Sequence, residues 1–141
     1  MAGTQAEQAG ALRAVARMFA SQHRLRAPKL HVTVRKAFGF GSSIMGMNPF
    51  DGQTISLSFP AITLGALPAS GGAASAKLTD DEAARIAEEQ SAAAFRSASG
   101  MGYDDVIDPR DLRNALLQGL TLSENRGSGP FRPVRHVGVM P

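Results

Sequence analysis

At 141 residues, 43% of them apolar and none of them Cys, the chain is one domain or a part of one, with a single core and neither disulfide nor thiolate chemistry. Its formal charge of +3 comes from 15 Lys and Arg spread along the chain without a dense run, and one Tyr with no Trp offers little for base stacking, so nucleic acid is not the expected partner. No apolar run approaches the roughly 20 residues of a membrane span, and MAGTQAEQAG has neither the basic start nor the apolar stretch of a secretory signal, so a cytoplasmic protein with no membrane partner is expected.

An amphipathic helix is predicted over 5–25, where Leu12, Val15, Ala16, Phe19 and Ala20 recur at helical spacing and Arg13, Arg17 and Gln22 turn elsewhere. Thr4 with Glu7 three residues on reads as its capping box, and Ala27-Pro28 ends it, because a residue before proline resists the helical region. Leu30-His31-Val32-Thr33-Val34 alternates and is β-branched, the pattern of a strand. The stretch from Arg35 to Met45 reads as a strand running into the turn Gly39-Phe40-Gly41 and then a helix. A strand over 54–59 is closed by Pro60, a short one follows over 62–67, and 68–76 is a small, glycine-rich loop. Thr79-Asp80-Asp81-Glu82 combines an N-cap, an acidic first turn and the box glutamate, and starts a helix reaching to Ser97. Asp105-Val106-Ile107 is extended. Asp108 as N-cap and Pro109 at the first helical position then open a last helix through Leu112, Ala115, Leu116 and Leu120. Residues 1–123 form the folded portion and 124–141 an extended tail. Strands alternating with helices make an α/β chain of short parallel strands with flanking helices, and two or three strands are few for a sheet, so the chain reads as the second half of a larger unit.

The usual catalytic constellations are missing. His23, His31 and His136 are isolated, with no second ligand at metal spacing, so no metal site is expected; His31, between apolar neighbours, reads as a satisfied core or interface histidine. Asp104 and Asp105, adjacent in a strand, point to opposite faces, which suits one solvent-facing carboxylate beside one that caps or pairs, not a shared proton. Gly39-Phe40-Gly41 lacks the third glycine and following acid of a dinucleotide fingerprint. It does end a strand at a helix start, where unpaired backbone N–H groups and the positive end of the dipole hold an anion or a developing oxyanion without a catalytic side chain. A plain tight turn explains the same pattern.

Gly3-Thr4-Gln5-Ala6-Glu7-Gln8-Ala9-Gly10, Pro28-Lys29, Arg35-Lys36-Ala37-Phe38-Gly39, Asp104-Asp105-Val106-Ile107-Asp108-Pro109-Arg110 and the ending from Arg132-Pro133 to Pro141 occur in one order over nearly the whole chain. Together they resemble the C-terminal part of the propionyl-CoA and acetyl-CoA carboxylase β-chain family, the carboxyltransferase subunits of biotin-dependent acyl-CoA carboxylases. The resemblance implies a partial crotonase-like (ClpP/crotonase) domain on the biotin side of such a subunit. It implies a ligase component of fatty acid metabolism that moves a carboxyl group from carboxybiotin to an acyl-CoA, active only with its missing N-terminal portion. The implied cofactor is biotin on a separate carrier. The implied partners are the remainder of the subunit, the biotin carrier protein, biotin carboxylase, the acyl-CoA substrate and further copies in a homo-oligomer. In this family's pattern the backbone N–H groups of Phe40 and Gly41 donate to the ureido oxygen of biotin, and Gly39, Phe40, Gly41 and Phe59 bind the cofactor.

The chain departs from that pattern. Phe40 stands where the family has a second glycine, so a ring has to fit where biotin approaches, and a positive φ there would be penalised. Phe59-Pro60 replaces a Trp-Pro, Thr63 the usual Glu, and Pro68 a glycine. Two other readings follow: a truncated or diverged, non-catalytic interaction module, and a subunit of a biotin-dependent acyl-CoA decarboxylase.

Overall fold

The computed structural model of the chain describes residues 4–47, 53–69, 71–72 and 77–124. The first helical segment is two helices, α1 (Thr4–Gln8) and α2 (Ala11–Arg24). The uninterrupted helix expected over 5–25 is therefore broken, and the cause is Gly10, whose left-handed φ of 85° turns the chain between them. Gly10 still serves α2, since its carbonyl accepts the first helical N–H, from Ala14, at 3.1 Å. Thr4 is the first helical residue of α1 and not the cap before it.

Among the described residues five short strands form two parallel groups. β1 (Leu30–Thr33), β3 (Ile55–Ser58) and β5 (Asp105–Val106) make a three-stranded sheet in the order β1-β3-β5, and β2 (Lys36–Phe38) pairs with β4 (Thr63–Gly65). Every pairing is parallel, as the alternation with helices requires. The expectation of two or three strands for one sheet holds for each group separately, because the extended segments read after Arg35 and over 62–67 pair with each other and not with the rest.

The register pairs Leu30 with Ile55 and Val32 with Leu57, which puts these four on one sheet face. The last helix, α6 (Leu112–Leu122), closes on that face through Gly119, where a Cβ would stand 2.8 Å from Leu30 Cδ2 and 2.9 Å from Ile55 Cγ2. The opposite face carries His31, Thr33, Ser56 and Ser58, and is polar though buried. There the Tyr103 hydroxyl donates to Thr33 Oγ1 at 2.8 Å, while Ser58 Oγ has no hydrogen-bond partner among the described residues. Ile62, Ala94 and Tyr103 form the core cluster, with Phe59, Leu64, Ala98 and Val106 packed against it.

The helix expected from Thr79 to Ser97 starts as the sequence dictates. Glu82 N–H donates to Thr79 Oγ1 at 3.4 Å and Thr79 N–H donates to the Glu82 carboxylate at 2.9 Å, a complete capping box for α4 (Asp80–Ser91). It then bends at Ala92 into a second helix, α5 (Ala93–Ser99), and the bend buries Ala93 and Ala94. Burying that face outweighs continuing a straight helix whose α4 part has no buried residue. A single 3-10 turn, Pro109–Asp111, leads into α6, with Asp108 Oδ1 accepting from the Arg110 N–H at 2.8 Å. Among the described residues no helix is long and apolar enough to cross a membrane. Residues 125–141, nearly all of the expected tail, lie outside the described residues.

Candidate functional site

β2 ends at Phe38 in extended backbone, and the next residue, Gly39, swings to a φ of 66°. Only glycine takes that conformation without penalty. A Cβ on Gly39 would also stand 3.2 Å from the carbonyl oxygen of Ala66, on the segment that follows β4. Helix α3 (Gly39–Ser42) starts here and passes into a π-turn, Ser43–Met47, kinked at Gly46. The positive φ of the turn therefore falls on Gly39. Phe40 is not among the described non-glycine residues with positive φ, so the backbone penalty expected for a phenylalanine at this place does not arise.

Among the described residues no side chain caps α3, and the N–H groups of Gly39, Phe40 and Gly41, in its first turn, have no acceptor within the helix. Ser42 Oγ donates back to the Gly39 carbonyl at 2.7 Å, which stiffens the turn without using those donors. A Cβ on Gly41 would meet nothing within 4 Å, so the turn is approachable there.

The turn opens on an apolar cavity of about 420 Å³, lined by Gly39, Phe40 and Gly41 together with Leu12 and Val15 of α2 and Leu67 after β4. Phe40, Leu12 and Leu67 are 59%, 63% and 55% exposed, unusual for residues of this kind that sit together. A second cavity of about 540 Å³ adjoins it through Phe38 and Gly41 and is lined by His31, Thr33, Arg35 and Ser42. His31 Nδ1 lies 3.3 Å from Ser56 Oγ, and burial pushes its pKa below the ordinary histidine value. It is the partly buried, partnered histidine that the strand pattern implied.

The structure divides the remaining candidates. Gly39, Phe40 and Gly41 come together on one cavity, but Phe59 does not join them, because it packs on Ile62, Ala94 and Tyr103. Asp104 and Asp105 split as their positions in a strand require. Asp104 Oδ2 accepts the Ser56 N–H at 2.7 Å, while Asp105 is exposed and its Oδ1 accepts the N–H of the next residue, Val106. Among the described residues no three His, Cys, Asp or Glu are grouped so as to hold a metal ion. His136 lies outside them. Sequence reasoning missed Leu12, Val15 and Leu67 as site residues. Leu12 and Val15 carried a signal, the apolar helix stripe, but that stripe also fits a plain core.

A profile described as the carboxyl transferase domain matches residues 1–139. The chain belongs to the carboxyl transferase domain family. It is 29% identical over 150 residues to the methylmalonyl-CoA carboxyltransferase 12S subunit of Propionibacterium freudenreichii subsp. shermanii. That match takes in 99% of this chain and 28% of the relative, so this carboxyl transferase chain spans little more than a quarter of the length of the curated protein it matches. The transcarboxylase 12S crystal structure, determined as a hexamer assembly with methylmalonyl-coenzyme A and methylmalonic acid bound, superposes with a TM-score of 0.76 at 28% identity, over 98% of this chain and 28% of that one. The β subunit of P. aeruginosa geranyl-CoA carboxylase superposes with a TM-score of 0.75 at 19% identity, over 99% of this chain and 29% of that one, a likeness of fold. The chain is thus a portion of an α/β, crotonase-like carboxyl transferase fold, built of short parallel strands with flanking helices.

Proposed function

We propose that this chain forms the biotin-side part of a biotin-dependent acyl-CoA carboxyltransferase and works only with polypeptide equivalent to the rest of its relatives' length. The observation that carries the reading is the turn Gly39-Phe40-Gly41, which starts a helix without a side-chain cap among the described residues and lines an apolar cavity. Biotin, brought on a partner carrier, would supply a carboxyl group from a ureido nitrogen, and its ureido oxygen would carry negative charge as that group departs. The N–H groups of Phe40 and Gly41 suit that charge, and one such preorganised donor is worth roughly 3–4 kcal/mol in a transition state. Gly39 sets their direction through its left-handed backbone. No side-chain base is called for in this chain. In this reading residues 1–123 are the body of the biotin-side portion and 124–141 its extended tail. The bound methylmalonyl-coenzyme A of the 12S structure supports an acyl-CoA acceptor, and its hexamer supports assembly with further copies.

A second reading is favoured by one observation, the exposed ring of Phe40 on the cavity that a cofactor would enter. If that ring fills the slot, the chain is a docking module without catalysis. Phe40→Gly separates the two, because it keeps the donor and removes the bulk. The measurement is carboxyl transfer to propionyl-CoA, with the chain co-expressed with the remaining carboxyltransferase length and supplied with carboxylated carrier. A blocked site should gain about tenfold or more, ~1.4 kcal/mol of barrier, when the ring is removed. A site that already works should change little. Transfer in neither version would refute the catalytic reading.

A further inference from the structure

We infer that Gln90, on α4, is a positioning residue for the Gly39-Phe40-Gly41 turn and acts through the segment that follows β4. The inference rests on the reading of that turn as the biotin-side site. β2 and β4 run side by side with Phe38 opposite Gly65, so the chain leaves both strands at the same level. On one side it enters the turn, and on the other it becomes Ala66 and Leu67, which line the same cavity. The width of that cavity is set by how these two exits stand apart. Gly39 and the Ala66 carbonyl are already in close approach, 3.2 Å from where a Cβ would lie.

Nothing in the backbone ladder holds the segment beyond Gly65, since β4 ends there. Gln90 does. Its Nε2 donates to the Leu67 carbonyl at 2.8 Å and its Oε1 accepts from the Ala69 N–H at 3.1 Å, so both ends of one amide span three residues of the segment like a strut. The amide reaches them over Gly65, where a Cβ would stand 2.7 Å from Nε2 and 3.3 Å from Phe38 Cε1. Glycine at 65 is what lets a helix side chain cross the end of the strand pair. A carboxylate at 90 would keep the acceptor but set a negative oxygen against the Leu67 carbonyl. A methionine would keep the length and lose both bonds. The pairing of Gln90 with Gly65 thus fixes one wall of the site from a helix whose residues do not themselves line it.

Hydrogen–deuterium exchange on the full chain, without ligand, tests this, comparing peptides over 39–46, 64–69 and 55–58. Gln90→Met should speed exchange in 39–46 and 64–69 by about tenfold, as the loss of two ordinary hydrogen bonds implies, and leave 55–58 unchanged. Gln90→Glu should fall between. Gly65→Ala should displace the amide and reproduce Gln90→Met, adding nothing in the double variant, which is the signature of two residues acting as one device. Should Gln90→Met fail to fold, Gly65→Ala carries the same test. Faster exchange confined to 64–69 would overturn the inference, since Gln90 would then hold the segment without positioning the turn. Equal acceleration at 55–58 would overturn it too, by reducing Gln90 to general stability. Free biotin added to the chain co-expressed with the remaining carboxyltransferase length separates this from the functional reading. Absence of saturable slowing over 39–46 would sink the biotin reading, while the Gln90 result, read without biotin, would stand.

Discussion

The two strand groups are built from the same parallel pairing and differ in what covers them. β1-β3-β5 is covered at its centre: α6 closes on one face through Gly119, and Leu57, Ser56 and Ser58 on the central strand are 1%, 0% and 0% exposed. β2-β4 is three residues a side and mostly half-buried, and its far end is the turn, which opens on solvent-accessible cavities. One group holds the fold together and the other carries the donors. The division is physical, because a group whose end is left open draws its stability from neighbouring elements.

The sharpest way to break this comparison is Leu57→Ala. Truncating a fully buried leucine on the central strand should cost about 2–5 kcal/mol, read as a lower urea midpoint at unchanged m-value. A loss below about 1 kcal/mol would mean that β3 is not the anchor. Gly39→Ala probes the other group. The alanine would occupy a left-handed backbone at a cost of about 1–2 kcal/mol, with its Cβ pressed on the Ala66 carbonyl. Stability should fall less than for Leu57→Ala, while exchange over 39–46 rises steeply. A larger stability loss at Gly39 than at Leu57 would reverse the roles assigned to the two groups.

The smallest expected effect lies where the groups meet, at His31, which contacts Ser56 and lines the cavity beside the turn. Burial lowers its folded pKa, so the unfolded chain binds a proton more readily than the folded one. Its contribution is complete above the unfolded histidine value of about 6.5 and is lost as pH falls through that value toward the folded pKa. Urea melts between pH 8 and pH 5, compared with His31→Gln, should show a slope in the native sequence that the variant lacks. Parallel slopes would remove His31 from the account.

Much of this was legible in the residues. The capping box at Thr79 and Glu82, the Asp108-Pro109 helix start, the strands around Val32 and Leu57 and the glycine turn after Ala37-Phe38 are local signals, and local chemistry decides them. The breaks at Gly10 and Ala92 were not legible. A lone glycine in a helical pattern is tolerated as often as not, and the bend at Ala92 brings Ala94 onto Ile62 and Tyr103, a contact between distant stretches of chain. The site divides in the same way. Its backbone donors follow from strand, glycine and helix in sequence, whereas the removal of Phe59 to the core and the arrival of Leu12 and Leu67 depend on how elements pack.

The Asp104 carboxylate has a consequence for how this chain meets others. β5 is only two residues long, and Asp104 takes the Ser56 N–H at the point where that strand begins. The flank of β3 is thus closed by a side chain, and the strand outside it presents the exposed, charged Asp105. Short, acidic borders of this kind make poor templates for cross-β growth. Beside β1, at the other border, no strand is paired among the described residues and no carboxylate stands guard within Leu30–Thr33. Among the described residues the sheet therefore has a side blunted by carboxylates at β5 and a side without them at β1.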